Sequence, residues 1–175
     1  MSEPFDHNVL RTIRLVIVDV DGVMTDGSIT VNPDGSEQKT FNVKDGSGIK
    51  YLQRSDVKVA ILSGRKSEPV DRRAEDLGIE HCRTGFKIKL PAYEDILEQV
   101  GVPDEAVCYI GDDLPDIPPM RRAGVPIAVA DAVDEVKSRA AYVTAAPGGR
   151  GAVREVAEMI LRAQGKWETV MERYL

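Results

Sequence analysis

The chain has 175 residues, 42% of them hydrophobic and 30% charged, which is typical of one globular domain that can bury its own core. Its formal net charge of −6 argues against nucleic acid or an anionic membrane as a partner, because both require clustered basic residues. The sequence has neither an apolar run long enough for a membrane helix nor a signal-peptide core at its start, so we expect a cytoplasmic protein.

The first predicted strand, Leu15–Val20, runs into a short turn with three carboxylates, Asp19, Asp21 and Asp26. Carboxylates this close repel one another unless a positive charge lies among them. Residues 28–43 follow and predict two short β-runs around a Pro-Asp-Gly turn, which is a hairpin signal. We therefore expect a hairpin that projects from the same edge of the sheet as the acidic turn.

Downstream, short apolar runs alternate with helical segments. The further predicted strands are Val57–Leu62, Ala106–Ile110, Pro126–Ala130 and Ala141–Thr144. The predicted helices cover residues 47–54, 68–77, 89–100, 116–123, 133–139 and 152–164. This alternation predicts an α/β fold, a Rossmann-like parallel sheet with helices on both faces. With no linker or repeat, residues 1–175 are expected to form a single domain, and apolar residues at helical spacing in the tail, 165–175, predict packing.

Polar groups follow the predicted strands at the edge where parallel sheets bind ligands. Asp19 and Asp21 follow the first strand, and Asp112 lies in a GDDLPD segment after a later one. Carboxylate oxygens of Asp19 and Asp112 suit a hard divalent cation such as Mg²⁺, which would offset their repulsion and attract a phosphate to an acidic protein.

A phosphoryl-transfer site is the chemistry that these residue types allow. Asp19 can attack phosphorus, and Asp21, two residues later, can protonate a leaving oxygen and then activate water. Ser63 follows the second strand of the sheet and Lys89 begins a helix, and both can bind phosphoryl oxygens.

The segments DVDGVMTDG, ILSGR and GDDLPD, together with Lys89, resemble the four motifs of the haloacid dehalogenase (HAD) superfamily of phosphatases. The resemblance implies a HAD-like fold, obligate magnesium and an aspartyl-phosphate intermediate. It assigns Asp19 as nucleophile, Asp21 as general acid and base, and Ser63 and Lys89 as the phosphate-binding pair. It places Asp19, the backbone carbonyl of Asp21, and Asp112 on the metal, with Asp113 and Asp116 in supporting roles.

Longer segments between Arg14 and Gly165, among them FNVKDGSGI and GGRGAVREV, resemble the 3-deoxy-D-manno-octulosonate 8-phosphate (KDO 8-phosphate) phosphatases of lipopolysaccharide biosynthesis. The resemblance implies a homotetramer without a large cap domain, whose active sites lie near subunit interfaces. The short spacing between the acidic turn and the next helix also leaves no room for a separate lid domain. The expected substrate contacts are Lys44, Asp45, Arg65 and Arg150.

Two other functions stay open at this point. The first is the same chemistry on a nine-carbon ulosonic acid 9-phosphate, from which the sequence does not separate the eight-carbon substrate. The second, more remote, is a receiver-type signalling domain, which also phosphorylates an aspartate at a strand end. In receivers the acidic pair precedes the phosphorylated aspartate, whereas here the DxD turn comes first and GDD comes late.

Overall fold

The computed structural model describes residues 5–175, which form eight strands, seven α-helices and three short 3₁₀ helices. The strands are β1 Leu15–Val18, β2 Thr30–Val31, β3 Glu37–Gln38, β4 Lys58–Leu62, β5 His81–Arg83, β6 Val107–Gly111, β7 Val125–Ala128 and β8 Tyr142–Val143. The α-helices are α1 Val43–Arg54, α2 Glu68–Leu77, α3 Leu90–Val100, α4 Ile117–Met120, α5 Asp134–Lys137, α6 Ala152–Ala163 and α7 Trp167–Met171. The 3₁₀ helices are His7–Thr12, Asp104–Ala106 and Leu114–Asp116.

Six of the strands form one parallel sheet in the order β5-β4-β1-β6-β7-β8, which confirms the predicted Rossmann-like fold. The central strand β1 pairs with β4 and β6, so that Ile17 aligns with Ala60 on one side and with Tyr109 on the other. All four β1 residues are buried, as expected for a strand that helices cover on both faces. The chain reverses direction across the sheet at β1, and this switch point is where parallel sheets open a crevice for ligands.

The helices form two layers because right-handed crossovers in opposite directions lie on opposite faces of the sheet. On one face α1 packs against α2 and α6, and the 3₁₀ helix His7–Thr12 packs on α6. On the other face α3 packs against α4. No helix within residues 5–175 is both long and apolar enough to cross a membrane.

The sequence predictions differ from the structure mainly at element ends and at the edge of the sheet. The short strand β5 was not predicted, because His-Cys-Arg is not an apolar run and all three residues are only half-buried. Helix α1 begins at Val43 rather than Ser47, since the Asn42 side chain accepts a hydrogen bond from the Lys44 N–H and caps the helix there.

Strands β2 and β3 pair in an antiparallel hairpin between β1 and α1, which confirms the predicted hairpin, and no cap domain is inserted there. The tail forms α7, whose Trp167 ring lies 6.2 Å from that of Tyr51 on α1. The Arg154 guanidinium of α6 lies 4.8 Å from the Tyr51 ring centroid and 5.6 Å from that of Trp167. These contacts fasten the tail to the α1–α6 layer.

Candidate active site

The loop that follows β1 places Asp19 and Asp21 at the carboxyl end of the central strand. Val20 closes a tight turn there, because its carbonyl accepts hydrogen bonds from the N–H groups of the three residues at positions 23–25. Gly22 has φ +90°, and a Cβ at this position would lie 1.9 Å from Oδ2 of Asp112. Only glycine lets this loop approach the loop after β6 so closely.

A cleft of about 310 Å³ opens between these two loops and the loop that follows β4. It brings together eight predicted site residues, namely Asp19, Asp21, Ser63, Arg65, Lys89, Asp112, Asp113 and Asp116. Gly64, Lys87 and Pro115 complete its lining. A larger cavity of about 580 Å³ lies between the hairpin and the start of α2, and it contains none of the predicted residues.

Lys89 lies at the start of α3, buried between two carboxylates. Its Nζ is 2.8 Å from Oδ1 of Asp19 and 2.6 Å from Oδ1 of Asp116. Burial opposes the charge of Lys89, but the two carboxylates outweigh it and raise its pKa. Lys89 is therefore a fixed positive charge at the base of the cleft.

The Asp116 carboxylate is fully buried and is occupied by four donors. Its Oδ1 accepts hydrogen bonds from Lys89 Nζ and, at 2.7 Å, from the Tyr109 hydroxyl. Its Oδ2 accepts from the backbone N–H groups of Asp112, at 3.0 Å, and Asp113, at 3.3 Å. Because these bonds use the lone pairs of both oxygens, Asp116 fixes the loop after β6 and has none left for a metal ion.

Asp19 and Asp112 are the carboxylates whose negative charge the rest of the site does not fully balance. Burial and then the neighbouring Asp116 raise the pKa of Asp19 to about 7, although Lys89 opposes the rise. Burial, Asp19 and Asp116 raise the pKa of Asp112 to about 8. Oδ1 of Asp112 is buried and has no hydrogen-bond partner.

Oxygen atoms of Asp19, Asp112 and Asp116 lie within 4.8 Å of one another, the spacing of ligands around a single ion. Since Asp116 is occupied by its four donors, the free oxygens belong to Asp19 and Asp112. Two clustered carboxylates, one with an unpaired buried oxygen, suit a hard divalent cation such as Mg²⁺. The residues present therefore fit the predicted metal.

The Asp21 carboxylate faces the hairpin rather than the metal-binding oxygens. It pairs with the Lys39 ammonium, whose side chain is fully buried, and its Oδ2 lies 3.8 Å from Nε of Arg65. Arg65 also pairs with Glu37 of the hairpin. Lys39 was missed in the sequence analysis, since it lies outside every strand-end motif and only the folding of the hairpin over the cleft brings it to Asp21.

The three remaining predicted substrate contacts lie outside the cleft. Lys44 is exposed in the first turn of α1. Arg150 is largely exposed, 4.0 Å from Oδ2 of Asp26, at a separate small cavity of about 190 Å³. Asp45 is buried, and its carboxylate accepts hydrogen bonds from the N–H groups of Gly151 and Arg154, so this side chain caps the start of α6.

Residues 147–151 brace the loop that carries Asp19 and Asp21. The Gly149 N–H donates to the Val23 carbonyl at 2.8 Å, and the Gly148 N–H donates to Oδ1 of Asp131 at 2.8 Å. A Cβ on Gly148 would lie 1.7 Å from the Gly22 carbonyl oxygen. The glycine-rich segment therefore supports the site from behind, a role that its sequence alone did not indicate.

Comparison with known proteins gives results that agree with this geometry. Residues 42–124 match a family described as haloacid dehalogenase-like hydrolase. The chain is 51% identical to the 3-deoxy-D-manno-octulosonate 8-phosphate phosphatase KdsC of Escherichia coli K12 over 89% of this chain and 83% of that protein. The crystal structure of the corresponding phosphatase from Yersinia pestis is similar, with a TM-score of 0.91, 49% identity, and coverage of 93% of this chain and 88% of that one. The Moraxella catarrhalis phosphatase, solved in complex with magnesium ion, phosphate ion and a KDO molecule, has a TM-score of 0.94 and 40% identity over 97% of each chain.

Proposed function

The chain belongs to the family of 3-deoxy-D-manno-octulosonate 8-phosphate phosphatases within the haloacid dehalogenase-like hydrolases, and on that premise we propose that it hydrolyses this sugar phosphate to 3-deoxy-D-manno-octulosonate and phosphate. It is a magnesium-dependent phosphoric monoester hydrolase that acts in the synthesis of lipopolysaccharide. The observation that carries this proposal is the meeting of Asp19, Lys89 and Asp112 at the end of the central strand.

In the proposed reaction Asp19 is the nucleophile. Lys89 holds Oδ1 of Asp19, which leaves Oδ2 to attack phosphorus. The new bond joins Oδ2 to phosphorus as the bond from phosphorus to the sugar oxygen breaks, and Asp21 gives a proton to that oxygen. Asp21 then takes a proton from water, which attacks the phosphoryl group and releases phosphate from Asp19.

Other residues of the cleft hold the phosphoryl group while its charge shifts. Lys89 and Ser63 are proposed to bind its oxygens, and Arg65, which is half-exposed at the mouth of the cleft, is proposed to contact the sugar acid. Asp19, Asp112 and the Asp21 carbonyl are proposed to hold Mg²⁺, which when bound supplies the positive charge that draws the phosphate to this acidic site. Asp113 and Asp116 support the loop that carries Asp112.

A substrate screen with purified protein tests this proposal. We expect phosphate release from the eight-carbon 8-phosphate in magnesium, none in EDTA, and recovery when magnesium is restored. A higher kcat/KM for a nine-carbon ulosonic acid 9-phosphate would move the assignment to the other sugar, and no release from either would refute it.

The nucleophile is tested by Asp19→Asn, which replaces one oxygen of the side chain and keeps its volume. Turnover should be lost while the circular dichroism spectrum is retained. Asp134→Asn, an exposed carboxylate in the first turn of α5, is the matched control and should keep full activity. Substantial residual turnover in Asp19→Asn would contradict the assignment.

We further propose a homotetramer whose active sites lie near subunit interfaces. Exposed apolar side chains support this proposal, because Ile29 and Val31 lie on the hairpin and Ile88 and Leu114 lie beside the residues that line the cleft. Light scattering at micromolar concentration tests it, and a monomeric mass would contradict it.

We also propose that the enzyme works in the cytoplasm. The two cysteines are both free thiols, which suits a reducing compartment. Cell fractionation tests this location, and recovery of the protein outside the cytoplasmic fraction would contradict it.

A further inference from the structure

Tyr109 is a buried side chain directly beneath the cleft that the proposed reaction does not use. It lies on β6 and is completely buried, and its hydroxyl donates to Oδ1 of Asp116 at 2.7 Å. The same oxygen accepts from Lys89 Nζ at 2.6 Å, and Lys89 in turn lies 2.8 Å from Asp19. A continuous chain of hydrogen bonds therefore runs from the middle of the sheet to the proposed nucleophile.

We infer that Tyr109 is a positioning residue for phosphoryl transfer, which acts through Asp116 to hold Lys89 against the reacting group. The inference rests on the proposed function, in which Lys89 binds the phosphoryl oxygens. Tyr109 does not line the cleft, and its hydroxyl bonds to Asp116.

The physical reason lies in how the lone pairs of Asp116 are shared. The two backbone N–H groups fix Oδ2, so the orientation of Oδ1 depends on its two side-chain donors. When the phenol fills one lone-pair direction, Lys89 is confined to the other, between Asp116 and Asp19. Burial and the adjacent carboxylates raise the pKa of Tyr109 far above its usual range, so this hydroxyl remains a donor.

Without the phenol, Asp116 would have an unsatisfied buried lone pair and only Lys89 to fill it. The ammonium would then move toward Asp116 and away from the phosphoryl oxygens. This movement weakens binding of the transition state most, because negative charge on those oxygens is greatest there.

The test is Tyr109→Phe, which removes one oxygen atom and leaves the ring that packs in the core. Removing a group that stabilises the transition state typically costs roughly 100- to 1000-fold in kcat, so displacing Lys89 should cost about tenfold. KM for the sugar phosphate should change less than twofold. The affinity for orthovanadate, used as a probe of the transition state, should fall by about the same factor as kcat.

Tyr93→Phe is the matched control. Tyr93 is also completely buried, and its hydroxyl donates to a carboxylate, Oδ1 of Asp104, at 2.8 Å. Its ring centroid lies 6.4 Å from that of Tyr109, yet its hydroxyl bond belongs to the α3 side of the fold and not to the cleft. Both variants should melt at similarly lowered temperatures, but only Tyr109→Phe should lose kcat and vanadate affinity.

The outcomes separate this inference from the proposed function. A wild-type protein that releases no phosphate from either sugar phosphate would refute the proposed function. An active wild type with equal kcat in both variants, whether reduced or not, would overturn the role of Tyr109. Assays at 10 °C with magnesium keep a destabilised variant folded. A Tyr109→Phe protein that is unfolded even there would also overturn the inference, because the hydroxyl would then determine the fold rather than the place of Lys89.

Discussion

The protein without magnesium should lose stability as the pH rises, because folding brings Asp19 and Asp112 together in a buried cleft. The pKa of Asp19 is raised to about 7 and that of Asp112 to about 8, whereas both return to an ordinary value near 4 in the unfolded chain. A raised carboxyl pKa means that the folded protein holds a proton that the unfolded chain has released. The stabilisation is complete below pH 4, decreases as the pH rises above that value, and is gone once the pH has passed the folded pKa values of about 7 and 8.

The size of the effect follows from the number of protons. Each proton held only by the folded protein lowers the free energy of unfolding by about 1.4 kcal/mol per pH unit as the pH rises. We count one shared proton for the pair, because the two carboxyls repel each other and titrate together. Between pH 5 and pH 7 the loss should therefore be about 3 kcal/mol.

Urea unfolding in EDTA at steps of half a pH unit, followed by circular dichroism, measures this loss. Asp112→Asn is the comparison, since it keeps the shape of the side chain and removes one of the two carboxylates. Its stability should depend less on pH, and at pH 8 it should be more stable than the wild type. Magnesium at 100 times its dissociation constant should return about 2.7 kcal/mol to the wild type and little to the variant. Parallel pH curves for the two proteins would refute the reasoning.

Three further substitutions test the rest of the site. Asp21→Asn should lower kcat by roughly 100- to 10,000-fold through loss of the proton donor, which steady-state phosphate release will measure. It should also lower the melting temperature, because it leaves the buried Lys39 ammonium without its carboxylate. Gly148→Ala should lower both activity and melting temperature, because its Cβ would strike the Gly22 carbonyl; equal activity in the variant would show that the brace is dispensable. Asp45→Ala should lower the free energy of unfolding in urea by about 1–3 kcal/mol, because it removes the acceptor of two N–H groups at the start of α6; unchanged stability would contradict the capping role.

The residues at the carboxyl-end edge of the sheet were predictable from the sequence, because each follows an apolar strand or begins a helix. Asp19, Ser63 and Asp112 follow strands β1, β4 and β6, and the parallel order of those strands is enough to bring them together. Lys89 was also predictable, since it begins α3 at the same edge. Local pattern and topology thus locate the proposed chemistry.

The remaining site residues depend on contacts that no local pattern encodes. The hydrogen-bond partners of Asp45 lie 106 and 109 residues away in the sequence, so its capping of α6 could not be predicted locally. Lys39 reaches Asp21 only because the hairpin folds back over the cleft. In the sequence Tyr109 is one more apolar residue of a strand, and only the structure shows that its hydroxyl bonds to Asp116.

The brace behind the site has a consequence for how the enzyme matures on the ribosome. A nascent chain that has emerged only through β8 already contains all the proposed catalytic aspartates, but it lacks residues 147–151 and the helix that Asp45 caps. The loop that carries the nucleophile therefore gains this support only after its own catalytic residues have been made. The enzyme should become active only once α6 has emerged, so a product that stops at β8 should be inactive although it contains every catalytic motif.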